Sequence, residues 1–196
     1  MAIVLFGGSF DPVHNGHVAM VQAAKAALPE AEVLVLPAAC SPFKTQTTEG
    51  EEAHRLAMCR LAFGSLAEVS DVEFHLPTPS YTVQTLTHLL SVRPEEYWFL
   101  CGADAFLSLP RWRDFDTLVT LTRFLVVQRG DPSEELKTLL RQIDRQGLGA
   151  RLIPMPRQDI SSTQVREAVM NGKSLAGLVP PAVEDYILKN HLYGRQ

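Results

Sequence analysis

The sequence predicts an α/β fold: a doubly wound, mostly parallel sheet with helices on both faces and a C-terminal helical segment. Three observations carry that expectation. Short apolar runs rich in β-branched and aromatic residues recur along the chain, those runs are continuous rather than alternating, and stretches of helical spacing lie between them. Continuous runs suit strands buried on both faces, and strands alternating with helices suit βαβ units with right-handed crossovers.

The strand-like runs are residues 3–6, 33–36, 72–74, 97–100, 124–127 and 152–153. Between them, Leu56, Cys59, Phe63 and Leu66 recur at three and four residues and place one stripe on a helix. Val83, Leu86 and Leu90 do the same in the next helix. Residues 161–170 and 181–188 read as two helices closing over the sheet. The polar stretch 41–50 reads as a surface loop at the carboxyl edge of the sheet, where open α/β sheets bind ligands. The whole pattern is Rossmann-like, and with no Pro/Gly-rich linker or internal repeat it predicts a single domain over 1–196.

Composition narrows the function classes. The chain has 196 residues, 46% apolar and 20% charged, with a net charge of −4. That excludes a disordered, collagen-like or coiled-coil chain. The lack of a basic surplus argues against a nucleic-acid partner. No apolar run approaches the roughly 18 residues of a membrane span, and residues 1–6 lack the basic start of a signal peptide. Cys40, Cys59 and Cys101 lie far apart and form no metal-like pair, which suits a reducing compartment. The expectation is a cytoplasmic protein with Cys59 and Cys101 filling core, no membrane partner, and homo-oligomerisation left open.

Chemistry concentrates in Gly7-Gly8-Ser9-Phe10-Asp11-Pro12-Val13-His14-Asn15-Gly16-His17, where the first strand passes into the first helix. Glycines there let a ligand approach the backbone, but they lack the spacing of the dinucleotide fingerprint. His14 and His17, three apart, face one side as the helix begins, and the first helical N–H groups have no internal partners. Two imidazoles and free N–H groups suit a phosphate. Two capping histidines, or a metal pair with Asp11, are the alternatives; Asp11-Pro12 also reads as turn chemistry.

A second segment, Asp159-Ile160-Ser161-Ser162-Thr163-Gln164-Val165-Arg166, opens a helix with three hydroxyls and an arginine one turn in. Ser161 and Gln164 alone would make a capping box. The additional hydroxyls and the forked guanidinium of Arg166 suit a polyphosphate.

The first segment resembles the signature of the nucleotidylyltransferase superfamily, and the second resembles its Ile-Ser-Ser-Thr-x-x-Arg signature. Three further segments, Gly102-Ala103-Asp104-Ala105-Phe106, Pro79-Ser80-Tyr81-Thr82 and Pro110-Arg111-Trp112, extend the likeness over nearly the whole chain; the second opens the helix at Val83, with Ser80 or Thr82 as its expected cap. Together they resemble the bacterial nicotinate-nucleotide adenylyltransferase family. The resemblance implies adenylyl transfer from ATP to nicotinate mononucleotide, giving deamido-NAD and pyrophosphate. It implies that Gly7, Gly8, Ser9, Phe10, His14, His17, Gly102, Asp104, Ile160, Ser161, Ser162, Thr163 and Arg166 bind ATP, with Asp104 at the ribose. Lys44, Ser80, Tyr81, Thr82 and Trp112 would meet the nicotinate nucleotide, with Trp112 stacked on the pyridine ring. His14, His17, Lys44 and Arg166 would act in catalysis. Mg²⁺ would be held mainly by the ATP phosphates.

Two positions depart from the family pattern. The loop Ser41-Pro42-Phe43-Lys44 has Phe43 where the family usually carries a histidine, and Leu76 stands where an arginine is frequent. That loop is also similar to one in pantetheine-phosphate adenylyltransferase, the alternative acceptor class. A nucleotide-binding sensor without turnover is the alternative outside enzymes.

Overall fold

The computed structural model describes residues 1–40, 49–128, 130–156 and 158–194. The chain runs β1 (Ala2–Gly8), α1 (Asn15–Ala27), β2 (Glu32–Pro37), α2 (Glu49–Phe63), β3 (Glu68–Val69), α3 (Thr82–Val92), β4 (Glu96–Gly102), α4 (Ala103–Ser108), α5 (Phe115–Leu121), β5 (Arg123–Gln128), α6 (Glu134–Gln146), β6 (Ala150–Pro154), α7 (Ser162–Met170) and α8 (Pro181–Lys189). The six strands form one sheet in the order β3-β2-β1-β4-β5-β6, and every pair is parallel. The expected Rossmann-like arrangement is therefore realised, with a sheet more uniformly parallel than the sequence required.

Alternate residues of each strand feed two cores. Val4, Phe6, Val33, Val35, Leu100 and Leu125 face α1, α2, α7 and α8. Ile3, Leu5, Leu34, Leu36, Phe99 and Phe124 face α3 to α6. Burial on both faces explains why these strands read as continuous apolar runs. Strand order reverses between β1 and β4, so the chain diverges there and leaves a crevice at the carboxyl edge.

Three local expectations need correction. Residues 72–74 are not a strand: Val72–His75 is a 3-10 turn, and the edge strand is the two-residue Glu68–Val69. Val-Glu-Phe alternates like a strand but is too short to be distinguished from a turn. The turn sends Glu73 inward, where it is buried, and leaves Val72 and Phe74 half-buried. Leu66 lies beyond α2, which gives way to Gly64 at φ +45, although Leu66 still packs on the core. In α3 the buried stripe is Val83, Leu86 and Leu89, with Leu90 less enclosed. Cys59 and Cys101 do fill core, and burial pushes both thiols up, that of Cys101 to about 12.

The C-terminal helices also hold the first loop. The Asn15 amide donates to the Leu178 carbonyl at 2.9 Å, and the Asn15 side chain donates to Gly177 O at 2.9 Å. Ser162 Oγ donates to Pro12 O, also at 2.9 Å. Among the described residues, no helix is long and apolar enough to cross a membrane.

Candidate active site

The site begins at the end of β1. Phe10 takes a left-handed backbone (φ 46) and is buried edge-on against Phe6 and His17, with centroids 5.2 and 5.0 Å away. A Cβ on Gly8 would lie 3.1 Å from the Phe10 ring, so the close turn favours glycine there. His14 caps α1, and its ring stacks on that of His17 at 3.6 Å between centroids and 24° between planes. Gly16 makes this stack possible, because a Cβ there would sit 3.0 Å from the His14 ring.

The His14 backbone N–H donates to Nδ1 of His17 at 3.2 Å. With Nδ1 accepting, the neutral ring carries its proton on Nε2, which is left to donate. Burial, followed by the neighbouring His14 ring, holds the His17 pKa well below its ordinary value. His17 therefore rests neutral at pH 7 and offers a hydrogen-bond donor rather than a fixed charge. Among the described residues no group of three or more His, Cys, Asp or Glu side chains could hold a metal, and so Asp11 does not complete a metal set with the pair.

The second motif arrives beside the first. Ser161 caps α7 in a reciprocal box with Gln164, as its spacing suggests. Ile160 directs its carbonyl toward Gly16. The next two hydroxyls face other partners: Ser162 is bound to Pro12 O, and Thr163 accepts from Arg166 at 3.3 Å. Arg166 Nη1 also donates to the Asp11 carbonyl at 2.5 Å and lies 3.8 Å from Asp11 Oδ2. Asp11 is thus more than a turn residue, since it is the anion beside which Arg166 rests. Gly102 ends β4 and caps α4 with open space where a side chain would stand, and Asp104 follows in the first turn, exposed.

A cavity of about 310 Å³ opens next to the first loop. Gly7, Gly8 and Ser9 form one border, and Glu73, Ser80, Tyr81, Thr82 and Trp112 are among the residues that line the rest. Trp112 packs edge-on against Phe99 at 5.7 Å and donates from Nε1 to Ser108 Oγ at 2.8 Å, which leaves the ring fixed at the cavity. The expected cap at Ser80 or Thr82 is not formed. Tyr81 is the N-cap of α3 and makes no side-chain capping bond. Ser80 Oγ instead accepts from the Ala39 amide at 3.1 Å, tying α3 to the end of β2. Sequence reasoning therefore located the segment but misread the part played by its hydroxyl.

Several residues at the site carried no sequence signal. Glu73 accepts from Thr85 Oγ1 at 2.9 Å within the cavity wall, and burial pushes its carboxyl up against the opposing influence of Thr85, Ser80 and Arg55. Arg55 is buried and donates to Ser9 O at 2.8 Å and Ala39 O at 3.3 Å, joining the loops that follow β1 and β2. Arg113 covers the Tyr81 ring at 4.9 Å. Only Arg113 adjoined a noted motif; a lone Glu or Arg in a helical or turn pattern looks like surface. Lys44 and the loop residue Phe43 lie outside the described residues.

The fold and this paired site define a nucleotidyltransferase: a strand-to-helix turn with stacked histidines, met by a hydroxyl- and arginine-bearing helix start. Residues 5–168 match the cytidylyltransferase-like family. A probable nicotinate-nucleotide adenylyltransferase of Roseiflexus sp. (strain RS-1) is 39% identical over 193 residues, covering 97% of each chain. One from Synechococcus sp. (strain JA-3-3Ab) is 35% identical over 194 residues, 97% of this chain and 94% of its own. In fold the chain is similar to Plasmodium falciparum nicotinic acid mononucleotide adenylyltransferase complexed with NaAD, with a TM-score of 0.78, 24% identity, and coverage of 98% of this chain and 97% of that one. The chain belongs to the nicotinate-nucleotide adenylyltransferase family.

Proposed function

We propose that the chain is a single catalytic domain that transfers the adenylyl group of ATP to nicotinate mononucleotide, giving deamido-NAD and pyrophosphate. The observation that carries this reading is the meeting of two unlike half-sites at the β1–β4 crevice. One is rich in phosphate-type donors (His14, His17, Arg166 and the start of α7), and the other is an aromatic cavity walled by Trp112 and Tyr81. Gly7, Gly8 and Ser9 border the cavity and lead directly to the histidines.

The nucleophile is the phosphate of the acceptor, already charged at neutral pH, so the protein has no base to supply. It displaces pyrophosphate in line at the α-phosphorus, and catalysis reduces to positioning and to stabilising spread negative charge. His17 Nε2–H and the His14 ring donate to oxygens around the reacting phosphorus. Ser161, Ser162, Thr163 and Arg166, with the first amides of α7, hold the outer phosphates, and Ile160 and Phe10 flank the adenosine path. Asp104 accepts from the ribose hydroxyls beside Gly102. Lys44 bridges the two substrates. Trp112 stacks on the pyridine ring, while Ser80, Tyr81 and Thr82 place the first amides of α3 at the nicotinate carboxylate.

The donor set of imidazoles, hydroxyls and one guanidinium fits an ion carried in on ATP rather than one caged by carboxylates, in keeping with the reluctance of Mg²⁺ to shed water. An Mg²⁺ ion carried in with ATP would supply neutralisation of charge on the polyphosphate. The partners are these small molecules, with no role for nucleic acid or a membrane, and the compartment is the cytoplasm. The test is pyrophosphate release from ATP with a panel of phosphate acceptors. Release only with nicotinate mononucleotide supports the assignment, while release with a pantetheine phosphate, or with none, overturns it.

A further inference from the structure

The last described turn of the chain reaches back to its first loop. Tyr193 Oη donates to Asp11 Oδ1 at 2.9 Å, across 182 residues of sequence. The other carboxylate oxygen, Oδ2, lies 3.8 Å from Arg166 Nη1, and Arg166 donates to the carbonyl of the same Asp11. One carboxylate is thus divided between a phenol and a guanidinium.

The local backbone is bent to achieve this. His191 and Tyr193 both take left-handed backbones, at φ 52 and φ 60, a conformation that non-glycine residues adopt at a cost. The Leu192 amide donates to Ile187 O at 3.0 Å, and Leu192 and Tyr193 pack against the core, which offsets that cost. Tyr193 is half-buried, and burial together with the Asp11 charge pushes its hydroxyl pKa up, so it stays a donor at any working pH.

We propose that Tyr193 is a positioning residue for the polyphosphate grip: its hydroxyl fixes the Asp11 carboxylate, and Asp11 in turn holds the Arg166 guanidinium in place until the ATP phosphates replace it as partner. This rests on the reading above that Arg166 meets those phosphates. A carboxylate with both oxygens free could take the guanidinium in a bidentate pair and compete with ATP for it. With Oδ1 engaged by Tyr193, the Asp11 carboxylate meets Arg166 through Oδ2 at the longer distance of 3.8 Å, which orients the fork without locking it.

The test is a double-mutant cycle of Tyr193→Phe and Asp11→Asn, read as KM for ATP, KM for nicotinate mononucleotide and kcat. Tyr193→Phe is expected to raise the KM for ATP by about three- to tenfold, the scale on which members of one hydrogen-bond network couple. The KM for the mononucleotide should stay unchanged, and in the Asp11→Asn background the same change should add nothing. An ATP KM unmoved by Tyr193→Phe, or one that rises additively in both backgrounds, overturns the proposal. So does a parallel rise for both substrates with a fall in Tm, which marks a merely structural tyrosine. Asp11→Asn keeps the Tyr193 ring and packing, and it gives the ATP-specific readout even if Tyr193→Phe lowers Tm. Arg166→Lys separates the two readings. If it leaves the ATP KM unchanged, the phosphate role of Arg166 is wrong; if it raises that KM while Tyr193→Phe does not, only the role of Tyr193 is wrong.

Discussion

The imidazoles of His14 and His17 stack face to face, 3.6 Å between centroids, on either side of a glycine that leaves no room for a side chain. Each ring limits the rotamers of the other, so the donors at the start of α1 are oriented before ATP arrives. His17→Ala is expected to lower kcat by about 10²-fold, the scale of losing one donor to developing charge, with a smaller change in ATP affinity. Gly16→Ala is expected to lower kcat by about 10- to 100-fold through displacement of the His14 ring alone. Steady-state kinetics with parallel thermal melts checks both. Near-normal turnover in either variant removes the histidine stack from the mechanism.

Arg166 grips with a fork, donating to Asp11 O and Thr163 Oγ1 from different nitrogens. Arg166→Lys keeps the charge but loses that geometry. The expected outcome is weaker ATP binding together with slower turnover, measured by titration with ATP and by initial rates. A lysine variant that matches the parent reduces Arg166 to a surface charge.

The acceptor cavity should favour an acid over an amide. The first amides of α3 lack a side-chain cap, because Tyr81 makes none and Ser80 is engaged with Ala39. Uncapped helical N–H groups favour an anion, and a nicotinamide NH₂ would meet donors with a donor. Nicotinate mononucleotide is expected to exceed the nicotinamide form in kcat/KM by about tenfold or more, from a mismatch of roughly 1–3 kcal/mol. Equal values would show that the α3 start does not select the base. Trp112→Ala should raise the KM for both forms alike, since ring stacking is blind to the carboxylate.

Protonation of His17 should couple to stability and to ATP. Its folded-state pKa lies well below the ordinary 6.5, so the unfolded chain takes up the proton first. The stability tied to the neutral ring is complete above that value and is lost as the pH falls from it through the folded-state pKa. The Tm of the parent should therefore drop more steeply on acidification from neutrality than that of His17→Gln. Bound polyphosphate opposes the effect by favouring the imidazolium, so ATP binding at mildly acidic pH should take up a proton. Calorimetry in buffers of differing ionisation enthalpy detects that proton, and identical heats in all buffers would contradict the coupling.

The sheet and the two helix-start motifs at residues 7–17 and 159–166 were legible because each rests on local chemistry. Residues 3–6 and 97–100 are apolar throughout because both faces of β1 and β4 are covered. Ser161 and Gln164 form their box because both partners lie within one helical turn. Less legible were residues whose roles depend on distant partners. Val72–His75 alternates like a strand, yet its Glu73 turns inward, where Thr85, twelve residues on, donates to it. Arg55 reads as one polar residue on an amphipathic helix, and its burial comes from the carbonyls of Ser9 and Ala39 on two other segments. Ser80 looked like a cap because caps are common, while the competing amide of Ala39 lies 41 residues away.

The clasp on the first loop has a consequence for the order in which the molecule is completed during synthesis. The bonds that hold residues 11–15 come from Ser162, Arg166, Gly177, Leu178 and Tyr193, at separations of 150 to 182 residues. All six strands end by Pro154, before any of those partners has been made. At roughly 5–20 residues per second, the glycine turn leaves the ribosome on the order of ten seconds before the last of them. A nascent chain can thus assemble its scaffold while residues 11–15 still lack these bonds, and the loop is fastened late rather than strand by strand. Chains stalled before and after Tyr193 should differ in ATP-dependent protease protection of the loop, and equal protection would show that the scaffold alone secures it.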